Sequence, residues 1–253
     1  MSGEEYWLQR TEKLLGPQGL KALAEARVAV FGLGGVGGHA VETLARSGVG
    51  ALDLIDSDRV DLTNLNRQII ATIDTVGMDK VEAARQRILS VNPHCRVTCH
   101  KVFYLPETAD TFDFSSYDYI VDAIDTVSGK IQLVKQAAAC GVPIISSMGT
   151  GNKLDPARLE VADIYETSVC PLAKVMRKEL RSAGIKSLKV VYSREIPIKP
   201  ITDEENAAGT SGTGSDRPAG RPSPGSTAFV PAAAGIIMAS EVVKDLCFGK
   251  ERV

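Results

Sequence analysis

The sequence predicts an α/β protein built on a doubly wound, mostly parallel sheet, and three observations carry that reading. Short β-branched runs alternate with helix-periodic stretches from Val28 to Ser147, an order that pairs strands in parallel through crossover helices. Between the first run and the first helix stand Gly32, Gly34 and Gly37, spaced G-x-G-x-x-G. A second apolar run, Ala51 to Ile55, ends at Asp56, about twenty residues past the last of those glycines. This is the layout of a Rossmann-like nucleotide-binding βαβ unit. The first glycine allows the turn, the second admits phosphate to the backbone, and the third packs helix on strand. Phosphate would rest on unpaired N–H groups at the helix N-terminus, and Asp56 would accept bonds from ribose hydroxyls.

Taken in order, Tyr6 to Ala26 reads as a leading helix with Leu14, Leu15, Leu20 and Leu23 apolar, interrupted at Gly16-Pro17 and with Thr11 as a candidate cap. Val28 to Phe31 is a buried strand, and His39 to Ser47 is the helix after the glycines. A polar, irregular stretch from Arg59 to Gln68 precedes a helix from Val81 to Val91, which Asn92-Pro93 stops. Strands follow at Arg96–Val102, Tyr119–Ala123 and Val142–Ser147, with a helix at Ile131–Cys140. The second half changes character. A loop at Gly149–Pro156 leads to a strand at Arg158–Ile164, a helix from Pro171 to Ser182, and a strand at Ser187–Glu195 that alternates as if one face were exposed. A Gly-, Ser-, Thr- and Pro-rich stretch, about 203–226, is expected to be mobile. Phe229 to Phe248 closes the chain as a small-residue helix that should lie buried against the sheet. We expect one domain over 1–253, with a nucleotide-binding half at 1–150 and a substrate-side half at 151–253.

With 44% hydrophobic and 24% charged residues and a net charge of −2, the composition is that of a soluble globular protein and neither demands nor forbids a nucleic-acid partner. No run approaches the roughly 18 apolar residues that cross a bilayer, and the N-terminus lacks a signal-peptide layout. Five cysteines in no framework spacing fit reduced thiols and a cytoplasmic location.

The chemistry lies in what surrounds the glycine turn. Asn64, Asn66, Arg67 and Gln68, followed by Lys80, place two cations and several amides where a triphosphate could be bent and cleaved. Asp125 follows the fourth strand, at the carboxyl edge where such sheets bind ligands, and facing phosphates it would hold Mg²⁺. Plainer readings stay open here: Asp125 as a cap of the helix near Val127, and Arg67 and Lys80 as surface charges.

At Gly32-Leu-Gly-Gly-Val-Gly37, Ile55-Asp56-Ser-Asp58, Thr63-Asn64-Leu-Asn66-Arg67-Gln68, Gly77-Met-Asp-Lys80 and Asp122-Ala-Ile-Asp125, the chain resembles the ubiquitin-activating-enzyme-like adenylyltransferases, which include the ThiF-type and molybdopterin-synthase-adenylating proteins. The resemblance implies that Gly35 and Asp56 contact the nucleotide, that Asn64 and Arg67 reach its phosphates, and that Lys80 binds them. It implies that Asp125 handles transient Mg²⁺ during adenylation. Asp58, Asn66 and Thr126 complete the candidate ATP contacts. Arg10 matches an arginine that family dimers insert into the partner's site, which implies a homodimer.

The segments Ser147–Pro156, Thr167–Lys174 and Pro224–Phe229 look like the branch of that family that dehydrates threonylcarbamoyladenosine beside a tRNA anticodon. The reaction implied is adenylation of the threonyl carboxylate by ATP, then ring closure with loss of AMP. Ring closure requires no enzyme cysteine. Lys174, Arg177, Lys178, Arg181, Lys186 and Lys189 are then candidates for tRNA phosphates, and the plainer alternative is a solvated helix face. Arg217 and Arg221 could add contacts. Further expectations are a sulfurtransferase-system partner and a monovalent cation that orders the second half. The runner-up is adenylation of the C-terminus of a ubiquitin-like sulfur carrier, disfavoured because no Cys-x-x-Cys pair for zinc occurs. A nucleotide-sensing module without turnover and an NAD dehydrogenase are the remaining classes. Cys170, before Pro171 at a helix start, is a tempting but unneeded nucleophile, and Ser226 stands where some relatives carry a cysteine.

Overall fold

A computed structural model describes residues 6–201 and 224–249. Its strands are β1 (Arg27–Phe31), β2 (Ala51–Ile55), β3 (Arg96–His100), β4 (Tyr119–Asp122), β5 (Ile144–Ser147), β6 (Leu159–Asp163) and β7 (Lys189–Ser193). Its helices are α1 (Gln9–Glu25), α2 (Gly37–Arg46), α3 (Lys80–Val91), α4 (Val127–Cys140), α5 (Pro171–Ser182) and α6 (Phe229–Phe248). They form one seven-stranded sheet in the order β3-β2-β1-β4-β5-β7-β6, parallel except for β6, which runs antiparallel to β7 at the edge. The strand–helix alternation produced this doubly wound layout, as expected.

Register places the site. Phe31 pairs with Ile55 on one side and with Asp122 on the other, and Asp122 pairs with Ser146. The carboxyl ends of β1, β2, β4 and β5 therefore stop side by side, and the loops leaving them, which begin at Gly32, Asp56, Ala123 and Met148, meet at one crevice.

Two layers of side chains cover the sheet. Val28, Val30, Leu52 and Leu54 pack under Ala40 and Leu44 of α2 and Met238 and Val242 of α6. Ala29, Phe31 and Ile120 face Tyr104, Phe112, Phe114 and Leu133. The Phe31 ring meets Tyr104 edge-on at 4.9 Å between centroids, a geometry worth about 0.5–1.5 kcal/mol beyond its burial. α6 crosses α2 at backbone contact: a Cβ on Gly235 would overlap the Val36 carbonyl oxygen, so no larger residue fits.

Four local expectations are corrected. β7 is not half-exposed: it lies inside the sheet, with Val190 and Tyr192 against α5 and Val191 in the core beneath α6. Its alternation reflects two different apolar partners, not one wet face. β3 ends at His100 rather than Val102, because Lys101 turns away to pair with Asp79 at 2.8 Å. α4 begins at Val127, which brings Lys130 into the helix. Thr11 does not cap α1; Leu8 holds that position, and the helix kinks at Gly16, whose φ is +71°. Most of the 203–226 stretch lies outside the described residues, Arg217 and Arg221 included.

Candidate active site

The crevice at the strand ends is a cleft of about 720 Å³. One wall is the glycine turn. Gly32 has φ +88°, and a Cβ there would approach the Ala123 carbonyl oxygen to 2.7 Å; at Gly37 it would overlap the Gly32 oxygen outright. Both packing constraints leave only glycine. Gly34 has open space on that side, which leaves the backbone accessible to a phosphate. Gly37 itself packs beneath the turn, while Gly32, Gly34 and Gly35 line the cleft.

Asp56 continues from β2 and is held by the Leu33 N–H at 2.7 Å and the Asp58 N–H at 2.8 Å. Burial pushes its carboxyl above the usual range, against the pull of Lys80 and those two N–H groups. Lys80, at the start of α3, is 5% exposed and bonds Asp58 at 2.7 Å. Asp58 is well exposed, so Lys80 is a cation held ready by a solvent-facing partner rather than locked in a dry pair. Asn64 is buried, and its Oδ1 accepts the Asp61 N–H at 3.1 Å, leaving the amide nitrogen as its group for a phosphate. Arg67 is steadied by the Thr63 carbonyl and by Asn66 Oδ1, each at 3.0 Å. Asp125 is exposed on the cleft, with Thr126 beside it at the N-cap position of α4, where it makes no side-chain cap bond. The N-cap position of α4 thus belongs to Thr126, one residue after Asp125.

Three predicted residues fall elsewhere. Asn66 is not in the lining; it braces Arg67 and donates to the Ser226 carbonyl at 3.1 Å. Arg10 lies in a separate groove with Leu14, Thr43 and Val243, between α1, α2 and α6, and is not in the lining of the cleft. Lys189 is paired with Asp245 at 2.8 Å and Glu241 at 3.1 Å, which removes it from any phosphate-binding face. On α5, Lys174, Lys178 and Arg181 are exposed at positions i, i+4 and i+7, and Lys186 follows. Arg177 is half-buried and holds the Thr167 carbonyl at 2.9 Å. Arg181 stacks over the Tyr165 ring at 5.1 Å. Cys170 is 1% exposed, a poor posture for a nucleophile.

The sequence reading missed residues that complete the cleft. Phe103, 44% exposed, and Tyr104 line it beyond β3 and offer an apolar wall for a base. Gln68, already named from the sequence beside Asn64 and Arg67, lines it too; its side chain is 6% exposed, and its buried Oε1 has no hydrogen-bond partner among the described residues. Beneath the floor, Lys130 donates to both oxygens of Asp122 and to the Ser147 carbonyl. Starting the helix at Val127 would have found it, because Lys130 then falls on the inward face with Leu133 and Val134. The opposite wall comes from Ser147–Gly151, Leu172, Pro224 and Ser226. Among the described residues no group of three His, Cys, Asp or Glu side chains could hold a metal alone. One exposed carboxylate beside a phosphate site matches Mg²⁺, which is usually shared between a carboxylate, substrate phosphates and water.

Fold and cleft together define a nucleotide-binding protein of Rossmann type, furnished to handle a triphosphate. The chain belongs to the ThiF family, whose profile matches residues 7–252. It is 46% identical to a tRNA threonylcarbamoyladenosine dehydratase of Bacillus subtilis over 94% of this chain and 93% of that protein. Among solved structures it is similar to the Escherichia coli tRNA N6-threonylcarbamoyladenosine dehydratase in complex with AMP, with a TM-score of 0.85 and 32% identity over 97% of this chain and 96% of that one. The same E. coli protein in complex with ATP superposes with a TM-score of 0.84 at 32% identity, again over 97% and 96%.

Proposed function

We propose that this chain is an ATP-dependent dehydratase of threonylcarbamoyladenosine in tRNA. The observation that carries the reading is that a full-length match to such enzymes coincides with a cleft holding both a triphosphate cradle and a second wall for an acyl group. The threonyl carboxylate is a poor electrophile. Its attack on the α-phosphorus of ATP expels pyrophosphate and makes the carboxyl carbon an acyl adenylate. A nucleophile within the same modified nucleoside then attacks that carbon and expels AMP, which carries off one carboxylate oxygen. The net change to the nucleoside is the loss of one water. Because nucleophile and electrophile share one molecule, proximity drives the second step, and no covalent enzyme intermediate is needed.

Asp56 holds the ribose, Gly34 and Gly35 admit the phosphates to the backbone, Asn64 donates a hydrogen bond to the departing pyrophosphate, and Arg67 and Lys80 neutralise it. Asp125 would hold Mg²⁺ against the phosphates, where the ion supplies further charge neutralisation. Arg10 would reach the cleft of a second copy in a homodimer; it is not in the lining of the cleft in its own chain. The exposed cations of α5 run from the mouth of the cleft at Leu172 and track the tRNA backbone. Among the described residues no helix is long and apolar enough to cross a membrane, and we place the enzyme with its tRNA in the cytoplasm.

Mass spectrometry of nucleosides from tRNA incubated with enzyme and ATP tests the reading. The modified adenosine should lose one water, with one AMP released for each. An unchanged nucleoside mass with every tRNA offered would refute it.

A further inference from the structure

The wall opposite the glycine turn hangs on one residue that the reaction does not otherwise need. Asn152 has φ +59°, a left-handed backbone that asparagine tolerates better than most side chains. Every polar group of its main chain is engaged, and so is its side-chain oxygen. Oδ1 accepts the Gly225 N–H at 2.6 Å, the Asn152 N–H donates back to the Gly225 carbonyl at 2.8 Å, and the Asn152 carbonyl accepts the Ile198 N–H at 2.8 Å. This two-way clasp fixes Pro224 to Ser226 against Gly151, where a Cβ would already stand 2.9 Å from Pro224. From the other side Asn66 donates to the Ser226 carbonyl at 3.1 Å and accepts from Arg67 at 3.0 Å. A line of hydrogen bonds thus runs from Asn152 through residues 225–226 to the arginine placed for phosphate.

The glycine turn, Asp56 and Lys80 are held by bonds of their own, none of which involves Asn152. What the clasp shapes is the half of the cleft formed by Gly149–Gly151, Pro224 and Ser226. We infer that Asn152 is a positioning residue for the carboxylate-bearing nucleoside: it sets the wall that aligns the incoming acyl group with ATP, and it contributes little to ATP binding itself. The inference rests on the functional reading above.

Asn152→Gly and Asn152→Asp test it together. Glycine accepts the positive φ without strain but deletes the Oδ1 acceptor, whereas aspartate keeps that acceptor. In Asn152→Gly the melting temperature and the ATP dissociation constant should stay close to wild type, while kcat for tRNA-dependent AMP release falls roughly five- to tenfold, the worth of one net hydrogen bond. Asn152→Asp should recover most of that loss. Wild-type kcat in Asn152→Gly, an equal loss of ATP affinity, or no recovery in Asn152→Asp would each overturn the inference while leaving the dehydratase reading intact. Wild-type enzyme that releases no AMP with any tRNA would instead overturn the functional reading itself.

Discussion

Substituting Lys130 with methionine keeps the length of the side chain and removes its charge from beneath the cleft. In the intact protein the ammonium group serves both oxygens of Asp122 at 3.0 Å, the Ser146 hydroxyl at 3.2 Å and the Ser147 carbonyl at 2.8 Å. Lys130 and Asp122 are 1% and 0% exposed, so water cannot take over these bonds. After the substitution Asp122 keeps only the Ser146 hydroxyl at 2.5 Å and a long bond from the Ile124 N–H at 3.3 Å, with its charge uncompensated. Breaking a buried pair from one side costs about 3–5 kcal/mol. The stranded Ser147 carbonyl adds to this, so we expect a loss of about 4 kcal/mol. For a chain of this size that lowers the melting temperature by about 8–16 °C. The double variant Asp122→Asn/Lys130→Met carries no buried charge and should recover about half the loss. Urea unfolding followed by circular dichroism, with thermal melts alongside, measures both variants. A cost below about 1 kcal/mol for Lys130→Met, or a double variant no more stable than the single one, would refute the argument that Lys130 is what keeps a buried Asp122 charge tolerable.

Three further outcomes follow from the same geometry. Arg10→Ala and Asp125→Ala should each reduce tRNA-dependent turnover by at least about a hundredfold. Mixed subunits of the two variants should regain activity, and failure of that complementation would argue against a homodimer with Arg10 acting across it. At Glu42, burial alone would raise the carboxyl pKa, but Arg87 and Arg46 overcome it and the net shift is downward. A carboxylate lowered in this way stabilises the fold above its unfolded pKa and loses that contribution as pH falls through its folded value. Glu42→Gln should therefore cost about 1–3 kcal/mol at pH 7, a gap that narrows as pH falls below the ordinary glutamate range; a gap independent of pH would contradict the assignment. Reversing Lys174 and Lys178 to glutamate should weaken tRNA binding and flatten its dependence on salt by about 0.9 log units per log unit of salt for each phosphate no longer neutralised. An unchanged slope in a filter-binding titration would remove α5 from the tRNA path.

The nucleotide side of the molecule was legible because it is local. Glycine spacing, a strand end and Asp56 all sit within one βαβ unit, and hydrophobic periodicity located each flanking element within a few residues. The substrate side was not, because its features depend on pairings between residues distant in the chain. Lys130 reads as a loop cation until the helix is seen to start at Val127, and its partner Asp122 is on another element. Asn152 meets Gly225 across 73 residues, a pairing that no spacing in the sequence announces. The alternation in β7 was visible but ambiguous, since period-2 hydrophobicity cannot say whether the second face meets water or another helix. Lys189 misled for a related reason: a lysine looks like a surface charge until Asp245 and Glu241, on the last helix, come up beneath it.

That last helix also completes the packing around the glycine turn. Gly235 of α6 lies against the Val36 carbonyl at the mouth of α2, and Pro231 packs on Gly35 in the glycine turn itself. The phosphate cradle is therefore closed by residues that leave the ribosome nearly two hundred positions after it. A nascent chain emerging at about 5–20 residues per second carries a complete glycine fingerprint for many seconds with no helix to hold it in shape. A chain that stops short of α6 leaves Gly35 and Val36 without the residues that pack on them. The packing of the cradle is thus completed last, after the residues of the wall opposite the glycine turn have been made.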